Sequence, residues 1–341
     1  MSFQPKARHA LVRAMLTGGL LASGLSFGSA AQAAISFQFN FLDTAGTGFN
    51  DASTGASRQT ALNTAATMFS SMFGTYFSNS GTVVLDATAT DAPLSGTLAS
   101  AGSQLTLAGS APNGFNVGEV VRTKLQTGTD LNGAAADGSV DVNFGQSWQL
   151  DPNAAVGGSQ FDFYKVVFHE FTHALGFSSL VNQDGSGLFS GNHWGAFDQF
   201  LTDKNGIAVV SAGTFATNST WTTASIGGTS PGAGMFFNGT HAVAANGGNL
   251  VGLYSPTTWE DGSSVSHIDT DNPAYAGQIM LHSASPGSGI RTYSAIEVGM
   301  MQDIGYSAIA AVPEPESYAM MFAGLGVVGW MGRRRRSNRS T

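Results

Sequence analysis

Between positions 161 and 175 apolar residues recur at helical spacing, and the same stretch carries His169, Glu170 and His173. This segment constrains the fold most, because it must be a core helix and still present polar groups to a ligand. Phe161, Tyr164, Val167, Phe168, Phe171, Ala174 and Leu175 supply the apolar stripe. Positions i and i+4 lie one turn apart on one face, so His169 and His173 can offer two imidazoles to a single ion. Glu170 is displaced around the helix, where it can reach a water beside that ion without ligating the ion. With 7 histidines in 341 residues, chance produces His-Glu-x-x-His on the order of three times in a thousand such chains. A core helix that merely happens to carry these residues is the bland alternative, and that frequency weighs against it. Ser159 reads as the helix cap, Asp162 as the third-residue partner of a capping box, and Gly176 as the left-handed residue that closes the helix.

Composition limits what else can hold the fold or the ion. There is no cysteine, so neither disulfides nor thiolates contribute, and a metal must be held by imidazoles, carboxylates, carbonyls and water. Charged residues are 11% and glycines number 45, a balance that suits a loop-rich exported protein. The formal charge is −8, but eight of the 14 basic residues lie near the two ends, which leaves the body near −14. So acidic a body argues against nucleic acid as a partner.

Strand and helix signals are clearest before the motif. Ile35 to Phe41 alternates apolar and polar residues as a half-buried strand does, and residues 58–77 have helical spacing that stops near Gly74. Further strands are predicted over 82–90 and 139–148. Strand, helix, strand, strand and motif helix make an α+β order, read as one two-lobed catalytic unit over residues 34–309 with a mixed sheet. Residues 178–264 give no firm prediction. Asp198 and Asp203, around Phe200 and Leu201, read as a strand and hairpin edge.

The continuation Ala174-Leu175-Gly176-Phe177 narrows the class. His-Glu-x-x-His-x-x-Gly resembles the metzincin zinc peptidases, in most of which a third histidine follows three residues after the glycine. Ser179 stands there and cannot ligate zinc, so the short-spacer families are excluded. Four histidines are then left for the third position, His193, His241, His267 and His282, with Glu260 or Glu297 as carboxylate alternatives. The order Ser266-His267, Ile279-Met280 and Asp303-Ile304-Gly305-Tyr306 resembles the leishmanolysin-like metzincins over residues 163–306. That resemblance implies His267 as third zinc ligand and Met280 as the apolar floor beneath the ion. It leaves His282, two residues on, as a rival ligand or a group that stabilises the transition state. Leishmanolysins are cysteine-rich and this chain is not, and no pro-segment is evident before the first strand.

Both ends read as addresses. Lys6, Arg8 and Arg13, a short apolar stretch, and Ala31-Gln32-Ala33 compose a signal peptide over residues 1–33, cut before Ala34. At the other end Val312-Pro313-Glu314-Pro315-Glu316 precedes an apolar stretch over 318–331 and then four arginines. The span is short and the basic cluster lies on its far side. Residues 310–341 resemble a PEP-CTERM sorting signal, which implies recognition by an exosortase, transient membrane anchoring, and delivery to the cell surface or extracellular matrix.

The expectation is therefore an exported zinc metalloendopeptidase acting on protein or peptide substrates, with Glu170 as general base. The competing expectation is a zinc-binding structural protein of the matrix or biofilm that does no chemistry. Asp269, Asp271 and Asn272 offer oxygens suited to Ca2+, although such Asx-rich turns also form without metal.

Overall fold

Alternation at the start of the body gives β1, Ile35–Phe41, whose Phe37 and Phe39 turn inward while Ser36 and Gln38 face solvent. The computed structural model describes residues 35–306, apart from positions 75, 78, 108–110, 190, 215 and 229–232. The predicted signal peptide at 1–33 and the sorting tail at 310–341, with its apolar span, lie outside the described residues. Helix α1, Gly55–Phe73, carries Leu62, Ala65, Ala66, Phe69 and Phe73 on one buried stripe, and it leads into β2, Gly81–Thr90, which runs parallel to β1. Strand β3 is Ala99–Ser103, helix α2 is Val120–Thr127, and β4 is Gly138–Asn143. The sheet order is β1-β2-β4-β3, with β2 and β4 parallel and β3 antiparallel to β4. This is a mixed sheet in an α+β fold, as expected, and β3 is an edge strand.

The motif helix α3, Phe163–Ala174, is seated by its central aromatic residue. Phe171 stacks on Phe37 at 5.0 Å and meets Phe69 edge-on at 5.4 Å between ring centroids. A fully buried Phe contributes about 1.5–3 kcal/mol from its area alone, so these contacts fix the roll of α3. His169, Glu170 and His173 are consequently turned away from β1. At the far end Gly176 has φ +99°, and a Cβ there would lie 2.6 Å from Glu119 Oε1. Glycine is required twice over, for the left-handed turn and for the approach of that carboxylate.

Asp162, not Ser159, caps α3: its Oδ1 accepts from the Tyr164 and Lys165 amides, and Arg291 Nε donates to both its oxygens at 3.0 and 2.9 Å. The chain reaches that cap as a short strand, Phe161–Asp162, paired with Trp148–Gln149. The strand predicted over 139–148 stops at Asn143, whose amide turns back to bond Ala92 and Thr97.

Beyond Gly176 regular structure is sparse. Strands β5 (Leu201–Thr202), β6 (Met235–Phe237) and β7 (Val251–Leu253) form a small antiparallel sheet. Asp203 turns the chain after β5, accepting from the Asn205 and Ile207 amides. Helix α4, Thr240–Ala245, packs on α5, Ala295–Asp303. Their contact is close enough that a Cβ at Gly299 would fall 2.8 Å from Ala242 Cα. Helix α5 ends at Asp303, and Gly305 turns the chain with φ +113°. Tyr306 then donates its hydroxyl to Leu175 O at 2.9 Å, tying this last turn to the end of α3.

Candidate metal centre

Three imidazoles from two distant parts of the chain converge. His169 Nε2 lies 3.0 Å from His173 Nε2 and 3.1 Å from His267 Nε2, and the latter two are 3.0 Å apart. Each ring is anchored at its other nitrogen by a backbone carbonyl: Ile279 O for His169 at 2.8 Å, Phe177 O for His173 at 2.6 Å, and Ser263 O for His267 at 2.9 Å. A carbonyl only accepts, so each Nδ1 carries the proton and each Nε2 is a bare lone pair. Three lone pairs facing one another repel unless a cation sits among them. Zn–N distances of about 2.0–2.1 Å at a tetrahedral angle put neighbouring nitrogens about 3.3 Å apart, close to the spacing observed. The donor set and its orientation fit a zinc-type ion.

Electrostatics point the same way. Burial, then the neighbouring His173, pushes His169 down to about 3, and burial pushes His173 down to about 4. His267 is likewise held well below its usual value, chiefly by burial and then by the other two rings. Neutral imidazoles are the ligating form.

Glu170 is 6% exposed. Burial raises its carboxyl to about 8, opposed by the pull of the Ala101 backbone amide on the edge strand β3. The motif helix packs against the sheet edge at this acid, a neighbourhood that no sequence pattern signalled.

The loop that delivers His267 is tightly held. Tyr254 N donates to His267 O at 2.9 Å, and Val265 N donates to Tyr254 O at 2.7 Å. Val265 is fully buried with φ +62°, an uncommon and costly conformation for a β-branched residue. Ser266 Oγ accepts from Ser179 N and from Ser178 Oγ, both at 3.2 Å. Ser179 therefore serves the site through its amide, by tethering the loop that brings His267.

The remaining predicted residues occupy other places. Met280 is fully buried; its amide donates to Glu297 Oε1 at 2.7 Å and its carbonyl accepts from Ile268 N at 2.9 Å. It follows Ile279, whose carbonyl orients His169. His282 stacks on Tyr254 at 3.7 Å and bonds Thr270 Oγ1 at 2.7 Å, outside the triad of nitrogens. His193 bonds Asn116 Oδ1 and His241 pairs with Asp303. Glu260 accepts from Tyr254 OH, and Glu297 forms the capping box of α5 with Ser294. Asp269 and Asn272 spend oxygens on the turn amides of Asp271 and Ala274. Among the described residues, the three histidines are the group whose side chains could together hold a metal.

Residues 311–336 match the PEP-CTERM protein-sorting motif. The chain therefore carries a signal read by exosortase-type processing enzymes and is an exported protein directed to the cell surface. No curated protein and no solved structure matches the chain. Among the described residues no helix is long and apolar enough to cross a membrane.

Proposed function

We propose that this exported chain is a zinc-dependent endopeptidase of metzincin-like, leishmanolysin-related type, with His169, His173 and His267 as ligands. The observation that carries the reading is the set of three unprotonated Nε2 atoms 3.0–3.1 Å apart, each ring locked at Nδ1 by a carbonyl. Bound there, zinc supplies Lewis acidity toward a peptide carbonyl and water that ionises near neutral pH.

The chain's own residues supply the rest. The three carbonyl anchors keep the imidazoles from rotating, so the ligand geometry is preformed. Glu170, one position from His169, accepts the proton of the attacking water and returns it to the departing amine. Burial gives its carboxyl the proton affinity for both steps, and a cation held by the imidazoles lowers that affinity toward neutrality. The Ala101 amide, on the edge strand β3, favours the ionised form of that carboxylate.

The test is hydrolysis of quenched peptides by the purified secreted chain, before and after chelation and again after zinc is restored. The reading predicts activity that is lost with the metal and returns with it. Stoichiometric zinc without hydrolysis of any peptide supports the silent structural protein instead.

A further inference from the structure

The body of this chain between positions 34 and 312 has few cations: Arg58, Arg122, Lys124, Lys165, Lys204 and Arg291. Most are engaged within the fold. Arg58 donates to Gly48 O and lies over the Phe144 ring. Arg122 pairs with Glu119, Lys124 with Asp130 and Asp137, and Arg291 with Asp162. Lys204 is exposed on the turn after β5.

Lys165 is different. It is partly buried on α3, and its ammonium has no ion pair or hydrogen bond among the described residues. It stands one helical turn before His169, on the face that bears the ligands, and its charge is felt at His169. Its stem lies against Gly289, where any side chain would strike Lys165 Cδ. The two carboxylates whose charge reaches it are Asp162 and Glu297. Both are already committed, Asp162 to the α3 cap and Arg291, Glu297 to the amides of Met280 and Ser294. A half-buried cation without a counter-charge costs stability in the folded chain. A body near −14 also repels acidic peptides in general, so only a local cation can hold a carboxylate here.

We propose that Lys165 is a specificity residue that binds a carboxylate of the peptide lying across the three imidazoles, a role that rests on the peptidase reading above. The carboxylate comes either from an Asp or Glu side chain or from the C-terminus of the substrate.

One peptide sequence, scanned with Glu, Gln or Lys at each position around the cleaved bond, tests this, each member made as free acid and as amide. Wild type should prefer the carboxylate form at one position by about 10–100-fold in kcat/KM, the range of a charge-assisted hydrogen bond. The arm that shows the preference separates a side-chain carboxylate from a chain terminus. In Lys165→Met the ratio should fall to about one, and in Lys165→Glu it should invert in favour of Lys. A general structural defect would lower all peptides alike and leave the ratio unchanged. Equal ratios in wild type and Lys165→Met overturn the proposal. Should no peptide be hydrolysed, the peptidase reading fails by itself. Binding of the same peptides, fluorescently labelled, to zinc-loaded wild type and Lys165→Met then decides. Tighter binding of the acidic peptide by wild type alone supports the carboxylate site; equal binding, or none, overturns it.

Discussion

Each imidazole of the triad has a fixed role because a backbone carbonyl settles its tautomer, and that makes the consequences of single substitutions distinct. Removing one of three ligands should weaken zinc by several decades, whereas a residue outside the ligand set should cost about 100-fold or less. Competitive zinc titration should therefore rank His267→Ala far below His282→Ala and His193→Ala. Parent-like affinity in His267→Ala, with loss in His282→Ala, would place the third ligand wrongly. Asp198 is buried and accepts from Ser179 Oγ, Gly195 N and Leu180 N at 2.8–3.0 Å. Burial raises its carboxyl from 3.8 to about 7, against the pull of those donors. The folded chain then holds this proton more tightly than the unfolded chain. The stabilisation is complete below about pH 4 and is lost as pH rises through about 7. Urea denaturation at pH 5 and pH 8 should show wild type losing more stability on going to pH 8 than Asp198→Asn. A difference between the two proteins that is the same at both values contradicts this.

Helix α3 shows how far local pattern determines an element. Its apolar period and Gly176 are plain in the sequence. Its cap is not, because Ser159 and Asp162 have equivalent capping chemistry, and the choice is made by tertiary contacts: the short strand pairing with Trp148 and the grip of Arg291. The end of β4 is set by the side-chain amide of Asn143 bonding a distant loop. Strands β5, β6 and β7 have two or three residues each, too few to show a period. The carbonyls that orient the ligands are invisible for a simpler reason: every residue has one. His267 could be singled out only through the order of Ser266-His267, Met280 and the Asp303–Tyr306 turn. Two substitutions test the seating of α3. Phe171→Ala should cost about 3–5 kcal/mol in chemical denaturation, the loss of a core aromatic, and a cost under about 1 kcal/mol would refute the anchoring role. Gly176→Ala should cost about 1–3 kcal/mol from the left-handed φ and the clash with Glu119. A neutral result would mean that neither constraint acts.

At the scale of the whole molecule, the chain joins an acidic, cysteine-free body to a tail that matches the PEP-CTERM sorting motif. Such a body has no disulfide to hold it, and aromatic rings from β1, α1 and α3 pack together in its core. Processing at both ends is the expected outcome if the N-terminal segment is a signal peptide and the tail is removed during sorting. Intact-mass measurement on protein from the native host should find cleavage near Ala33 and near Pro313, and a mature species still carrying Arg333 to Arg336 contradicts the sorting reading. In the proposed function the histidine triad and Glu170 make one hydrolytic site, in which the histidines hold zinc and the acid moves the proton. Zinc content and peptide hydrolysis, measured together on Glu170→Gln and on wild type, test it most directly. The account predicts one zinc per chain in both proteins and a rate lower by two or more decades in the variant. Zinc bound equally with the rate unchanged would contradict it.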